Sequence, residues 1–423
     1  MEILAEPRFG NCAAAPPRRR ASEVGGEKIL VALTLAALLG VGIFLRIFPS
    51  SGFQGVGFDE HAYAVFVQQI QKVGLENYDA VVRVYLERQA TLPEAVVPAT
   101  RVGFLAPAAV AADVFHLEPL RALRLISCLT SIGLLLATTL IAFRHGGIRR
   151  MLIVTALMAI APLQLALAQR ALIDGYFAFW AVLTAWFFWE AWTAPRKRSW
   201  SLAYGASLFV LILTKENAAF VFLALVATGA TLCLLDRRRP DAQIVLVSLA
   251  SCALALFVLV SLTGGLPEWI AFYRMFAAKS RALPYAMHLQ DGAWYRYLVD
   301  FTMLSPVIVA LVIGRIFQLE RAAKFDLFWA LFLGFSFVAM TSVPGGMSLR
   351  FAAYWDEPLR WLAASQLLAL APRFSRKHAA VVLALATIFC LTIDLSQYSR
   401  LFVTGGIYDP VSAQLFHASG LVR

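Results

Sequence analysis

Four short stretches place ionisable side chains into an otherwise apolar chain: GFDEHAY at 57–63, QRALIDGYF at 169–177, LILTKENAAF at 211–220 and SLRFAAYWDEPLR at 348–360. Charged groups at membrane depth are expensive, so those that persist are functional candidates by default. Asp59, Glu60, His61, Arg101, Arg170, Asp174, Lys215, Glu216, Arg281, His288, Arg350 and Asp356 all belong to segments able to converge at one end of a helical bundle. Each also has a simpler reading. Asp59 could cap a helix beginning at the GFDEHAY stretch, with Glu60 favoured by the helix dipole. The trio Asp59, Glu60 and His61 could instead hold a divalent cation. Arg170 and Asp174 stand four apart, the spacing of a structural ion pair. Lys215 and Glu216 interrupt roughly 35 apolar residues, where each would cost about 2.5–3.5 kcal/mol at mid-membrane, so a turn at the surface is required there and an interfacial ion pair is one outcome. Arg350 and Tyr354 share a face if helical, and an aromatic ring beside an arginine can bind a phosphate or a sugar.

The elements that must position these groups are membrane helices. The chain has 423 residues, 60% hydrophobic and 15% charged, with a mean hydropathy of +0.71, outside the soluble globular class. With about 20 residues needed per crossing, about 11 crossings are expected, beginning near Ile29, Leu120, Met151, Gly175, Ser201, Asn217, Ile244, Phe301, Leu327, Leu359 and Ala379. The first is long and lacks a small-x-small cleavage pattern, so it is expected to be retained. The net charge of +11 does not indicate nucleic acid, because the basic residues recur in every second connection: Arg144, Arg149 and Arg150; Arg196 to Arg198; Arg237 to Arg239; Arg315, Arg321 and Lys324; Arg373, Arg376 and Lys377. This is the positive-inside pattern. It places the N-terminus inside, the C-terminus outside and the four stretches above on the exterior side. The five cysteines lie singly, without disulfide or metal-site spacing.

Residues 1–27 read as a disordered cytoplasmic tail, 28–395 as one membrane domain and 396–423 as an exterior tail. The first exterior segment, about 49–119, is unusually long for a connection, and such loops tend to be functional. Within it Ala62, Val65, Phe66, Ile70 and Val73 follow helical spacing opposite Gln68, Gln69, Gln71 and Lys72, predicting a helix along the membrane surface. VGFLAPAAVAADVF (102–115) predicts a second. The aromatic EWIAFYRMF and AWYRYL stretches read as interfacial belt rather than ligand platform.

An apolar first crossing, then FDEHAYA, RALRLISCLTSIGLLLATTLIAFRHGGIRR, APLQLALAQRALIDGYFAFWAVL and LILTKENA, in this order, resemble the lipid-carrier-dependent glycosyltransferases of the GT-C superfamily, with the protein O-mannosyltransferases and lipid A aminoarabinose transferases as the nearest branches. The resemblance is strongest over about 29–235. It implies an all-α polytopic membrane enzyme that moves a sugar from a polyprenyl-phosphate donor to a hydroxyl acceptor on a protein, lipid or glycan, with inversion, at the exterior or periplasmic face of a bacterial inner membrane. It implies Asp59 as base with Glu60 beside it, and Lys215, Arg350 and Arg101 as ligands of the donor phosphate. Arg170, Asp174, Glu216 and Tyr354 would support them. The TRVGFLAP stretch keeps Arg101 but lacks the paired prolines of the family. The soluble C-terminal domain of many relatives has no counterpart, so acceptor recognition is expected at the membrane mouth. A divalent cation is an open possibility. The competing reading is a polytopic transporter or lipid flippase, opposed by the lack of an inverted-repeat pattern and by charges gathered at one surface; a noncatalytic scaffold would leave the carboxylate pair as a cap alone.

Overall fold

The computed structural model describes residues 21–48, 50, 52–343 and 346–421, with the side chains of 21–27 excepted. The cytoplasmic tail expected over 1–27 lies outside the described residues as far as residue 20, and a helix begins at Ala21. Eighteen α-helices follow in order: α1 (Ala21–Ile47), α2 (Phe58–Val73), α3 (Tyr78–Thr91), α4 (Val102–Val114), α5 (Pro119–Ala159), α6 (Pro162–Ala168), α7 (Ile173–Thr193), α8 (Arg198–Thr214), α9 (Ala218–Asp236), α10 (Ala242–Thr263), α11 (Leu266–Ala282), α12 (Pro284–Leu289), α13 (Arg296–Leu304), α14 (Pro306–Phe317), α15 (Lys324–Thr341), α16 (Asp356–Phe374), α17 (Ala379–Tyr398) and α18 (Ser412–Ala418). Among the described residues there is no strand. Each crossing expected from the sequence begins in a helix or within a residue of one, and among the described residues 6 helices are long and apolar enough to cross a membrane by length and composition.

Helix α5 carries two of the expected crossings. Its 41 residues are broken at Gly147, whose φ of 69° and ψ of −175° are non-helical, so the chain reverses between Arg144 and Arg150. Those arginines do not simply face water. Arg144 pairs with Glu190 of α7, and Arg150 lies 4.6 Å from the Trp361 ring. At the other end of α5, the break before Pro162 frees the carbonyls of Leu157, Met158 and Ala159 inside the bundle. Buried arginines satisfy them: Arg46 donates to Met158 and Ala159, and Arg360 to Leu157 at 2.9 Å. Arg360 is balanced by Asp356 and by Asp394 at 3.0 Å. This charge network is structural, and it takes Asp356 out of the exterior group in which the sequence places it. Helix α7 is buried around its circumference and forms the centre of the bundle.

The long segment between α1 and α5 folds into helices that pack on one another and on the bundle. Helix α2 buries Tyr63, Phe66, Val67 and Ile70 against α3, α4 and α5, a face one residue over from the expected one, with Val73 left exposed. The shift follows from docking on protein: Tyr63 stacks edge-on to Phe104 of α4 at 5.6 Å. Asp59 is not the cap. Gly57 holds that position, and Glu60 accepts its N–H at 2.9 Å. The exterior tail also packs inward, burying Leu401, Phe402, Ile407, Val411 and Leu415. Gly52 donates to the Phe402 carbonyl at 2.9 Å, and a Cβ on Gly52 would lie 1.9 Å from the Val403 carbonyl oxygen, so only glycine permits this approach.

Candidate active site

A cavity of about 1140 Å³ lies at the end of the bundle where the four charged stretches approach one another. Its inner wall comes from the start of α2, the turn between α8 and α9, the start of α7 and the 3-10 segment Leu349–Trp355; its outer wall comes from α3, α11 and α12. Helix α11 is tied to α3 by Lys279, which donates to the Gln89 and Ala90 carbonyls at the end of α3 and to Leu92 just beyond it.

Asp59, His61, Arg101, Asp174, Lys215, Glu216 and Arg350 all line this cavity. Arg350 is the hub: Nη1 is 2.8 Å from Asp59 Oδ2, and Nε is 3.3 Å from Asp409 Oδ1 and 3.9 Å from Asp174 Oδ2. Neither nitrogen is aligned as a hydrogen-bond donor in these contacts. Lys215 Nζ is 2.5 Å from Asp174 Oδ1 and 3.9 Å from the centre of the Phe351 ring. Arg101 pairs with Glu216 at 2.8 Å and donates to the Tyr63 hydroxyl. Asp59 thus reaches Lys215 through Arg350 and Asp174, and the first exterior segment and the TKEN turn face one space.

Several expected pairings are replaced. Arg170 and Asp174 do not bond to each other, nor do Lys215 and Glu216; each takes a partner from another segment. Arg170 pairs with Glu60 and lies 4.5 and 5.1 Å from the centres of the Phe53 and Tyr408 rings, which pack on each other at 4.9 Å. Glu60 is fully buried and accepts from Gly57, Arg170 and the Ala171 N–H. Its carboxylate is spent on holding the Asp59 turn and does not line the cavity. Tyr354 is also fully buried, packed edge-on against Phe177 away from the cavity. Arg281 and His288 are outside the lining. With Glu60 turned away, Asp59, Glu60 and His61 do not converge, and among the described residues no three His, Cys, Asp or Glu side chains form a metal-ligand group.

The sequence reading missed Asp409, and with it the part the tail plays. Asp409 is buried and accepts from Ser348 at 2.5 Å, Tyr285 at 2.7 Å and Gln290 at 2.8 Å. Tyr408 beside it packs on Gly57, where an added Cβ would lie 2.0 Å from the ring. Burial raises the Tyr63, Tyr285 and Tyr408 phenols above the ordinary tyrosine range, with nearby Asp59 adding to it, so all three remain donors at neutral pH. Two partly exposed carboxylates, Asp59 and Glu216, share the cavity with three cations, the equipment for removing a proton beside a bound phosphate.

Residues 106–277 match the family model described as dolichyl-phosphate-mannose-protein mannosyltransferase. The sequence matches no curated protein. Among solved structures, the chain is similar to ArnT from Cupriavidus metallidurans in the apo state, at 16% identity and a TM-score of 0.53 over 95% of this chain and 78% of that one. Against the same protein bound to undecaprenyl phosphate the values are 17%, 0.58, 93% and 78%. The archaeal oligosaccharyltransferase AglB from Archaeoglobus fulgidus, in complex with an inhibitory peptide and a dolichol-phosphate, gives 14% and 0.58 over 88% of this chain; the chain spans 56% of that protein's length. The chain therefore has the fold of the GT-C membrane glycosyltransferases, and it is an integral membrane protein.

Proposed function

We propose that this protein is a membrane glycosyltransferase that moves a sugar from a polyprenyl-phosphate donor to a hydroxyl acceptor by a single inverting displacement in the exterior cavity, on the periplasmic side of a bacterial inner membrane. The observation that carries it is the meeting of Asp59 with Arg350, Lys215 and Arg101 in one cavity. Similarity to proteins whose structures hold undecaprenyl phosphate or dolichol-phosphate supports the donor class.

The donor phosphate sits among the three cations. The acceptor oxygen attacks the anomeric carbon from the face opposite the phosphate, the new C–O bond forms as the C–O bond to phosphate breaks, and the phosphate oxygen leaves with the electron pair. The acceptor's proton passes to the Asp59 carboxylate. A polyprenyl phosphate leaves without protonation, so one base and a cation clamp suffice. Arg350 links the two halves: in the resting arrangement it neutralises Asp59, and a phosphate that engages Arg350 releases that carboxylate to act as base. Asp174 holds Lys215 and Arg350 in place, and Glu60 with Arg170 fixes the turn that presents Asp59. Arg46, Arg360, Asp356 and Asp394 in the bundle interior are engaged with the α5 to α6 break and with each other, which gives these four a structural task rather than a transport path.

The test is incubation of the purified full chain with radiolabelled polyprenyl-phosphate sugars. The expected result is release of free polyprenyl phosphate with label on a hydroxyl acceptor. Movement of intact labelled donor across vesicles containing the protein, without release, would establish the flippase reading instead.

A further inference from the structure

A second space adjoins the cavity. It is a groove of about 530 Å³ between α8, α9, α10 and α11, with Phe222, Leu256, Leu259 and Trp269 in its otherwise apolar wall. Arg101, Lys215 and Glu216 line both spaces, so the Arg101–Glu216 pair stands at their boundary. Three further observations concern that pair. Arg101 is nine-tenths buried, yet its Nε has no hydrogen-bond partner. Of the carboxylates that pair with the cavity's cations, Glu216 has the most exposed side chain, at 25% against 19% for Asp59, 3% for Asp409 and 2% for Asp174. Glu216 also sits in the three-residue turn between α8 and α9 rather than inside a helix.

Resting on the transferase reading above, we propose that Glu216 and the donor's phosphate compete for Arg101, so that the ion pair is a latch between groove and cavity which the incoming lipid phosphate opens. The physical reason is the cost of separating each pair. A buried ion pair broken on one side leaves an uncompensated charge. Freeing Asp174 would strip Lys215 and Arg350 together, inside the protein. Glu216, the most exposed of these carboxylates, can turn to solvent, and the phosphate that replaces it balances the charge on Arg101. It can also use the idle Nε beside Nη2, the fork geometry that suits two phosphate oxygens. With the latch open, the apolar groove becomes continuous with the cation cluster. A prenyl chain can then lie between α8 and α11 while its phosphate stays among the cations, which matches the amphipathic form of the donor.

The consequence is a hidden affinity. A site available only when its latch is open shows an apparent affinity reduced by the open fraction, so a pair open about a tenth of the time conceals about tenfold. Thermal-shift titration of the detergent-solubilised full chain with undecaprenyl phosphate, in the parent and in Glu216→Gln, reads this directly. The variant should bind about tenfold more tightly, and should show the larger rise in Tm on addition of lipid even if its own starting Tm is lower. Glu94→Gln removes a carboxylate from the cavity rim without releasing Arg101 and should bind like the parent. Leu256→Trp, which fills the groove, should weaken undecaprenyl phosphate and leave inorganic phosphate unaffected. Equal affinity of the parent and Glu216→Gln, with transfer intact in the parent, would overturn the latch and leave the transferase reading standing. Equal tightening by Glu94→Gln would also overturn it, reducing the effect to net charge. Equal weakening of both probes by Leu256→Trp would remove the groove from the proposal, and no binding of the lipid to any of the proteins would overturn the transferase reading along with the latch.

Discussion

Asp59 stands 2.8 Å from Arg350 with its side chain 19% exposed, while its neighbour Glu60 is enclosed by three donors. Two adjacent carboxylates of the same chemistry are thus divided between a task in the cavity and a task in the framework. On the proposed mechanism, Asp59→Asn keeps the side chain's size but cannot take a proton, and loss of a general base removes about 10²–10⁴ of the rate. The expected outcome is a protein that purifies and binds undecaprenyl phosphate at least as well as the parent while transfer falls by that factor. Near-normal transfer would exclude Asp59 as base. Lys215→Ala should fail differently, weakening lipid binding as well as turnover, because a phosphate ligand acts in both ground and transition states. Glu60→Gln loses the charge that holds Arg170 and should lower Tm together with activity. A fall in activity with Tm unchanged would contradict the framework role.

At the scale of elements, two close approaches set the site's geometry. Gly103 in α4 lies so near the end of α8 that a Cβ would meet the Leu213 carbonyl carbon and the Thr214 nitrogen, both at 2.9 Å. Backbone cannot yield there as a flexible side chain can, so Gly103→Ala should push Arg101 away from the Lys215 turn. Misplacement on the scale of an ångström can cost about 10²-fold in rate. Gly40→Ala in α1, with nothing within 4 Å of its Cβ, is the matched control, and kinetics with circular dichroism on both would check it. Equal activity of the two variants would show that α4 does not position the clamp. Much at this scale is legible in the sequence: apolar runs mark the long helices of the bundle, and a helix is expected at α2. Helix α3 is equally legible, since Tyr78, Val81, Val82 and Tyr85 follow the i, i+3, i+4, i+7 rule and are all buried. The pairing of the charges was not legible. Sequence spacing suggests partners four residues or one residue apart, whereas the real partners come from separate segments, and only tertiary packing chooses between them.

The whole molecule is closed by its two most distant parts. The segment before α2 and the tail after α17 meet through Gly52, Phe402, Gly57 and Tyr408, and Asp409 fastens the tail to the rest. Its carboxylate accepts from Ser348 of the loop before Arg350, from Tyr285 of α12 and from Gln290 beyond it, and it is one of three acids around Arg350. An aspartate in a C-terminal stretch of a membrane protein gives no sign of this in the sequence, because nothing local reports that the tail returns to the core. Asp409→Ala would leave the buried Ser348 and Gln290 donors without an acceptor, at about 1–3 kcal/mol each before the surroundings relax, and would release the more exposed Tyr285 hydroxyl. The tail and α12 should then loosen together. The expected outcome is a lower Tm and protease cleavage within residues 405–421, with α12 also becoming accessible to labelling at an introduced Ala286→Cys, a position buried in the parent. Asp409→Asn retains an acceptor oxygen and should recover most of the stability, but it removes one of the charges that balance Arg350, so donor phosphate should bind more tightly than to the parent. Unchanged Tm and cleavage in the alanine variant would mean that the tail is held by Leu401, Phe402 and Val411 alone, and that the cavity's outer wall does not depend on it.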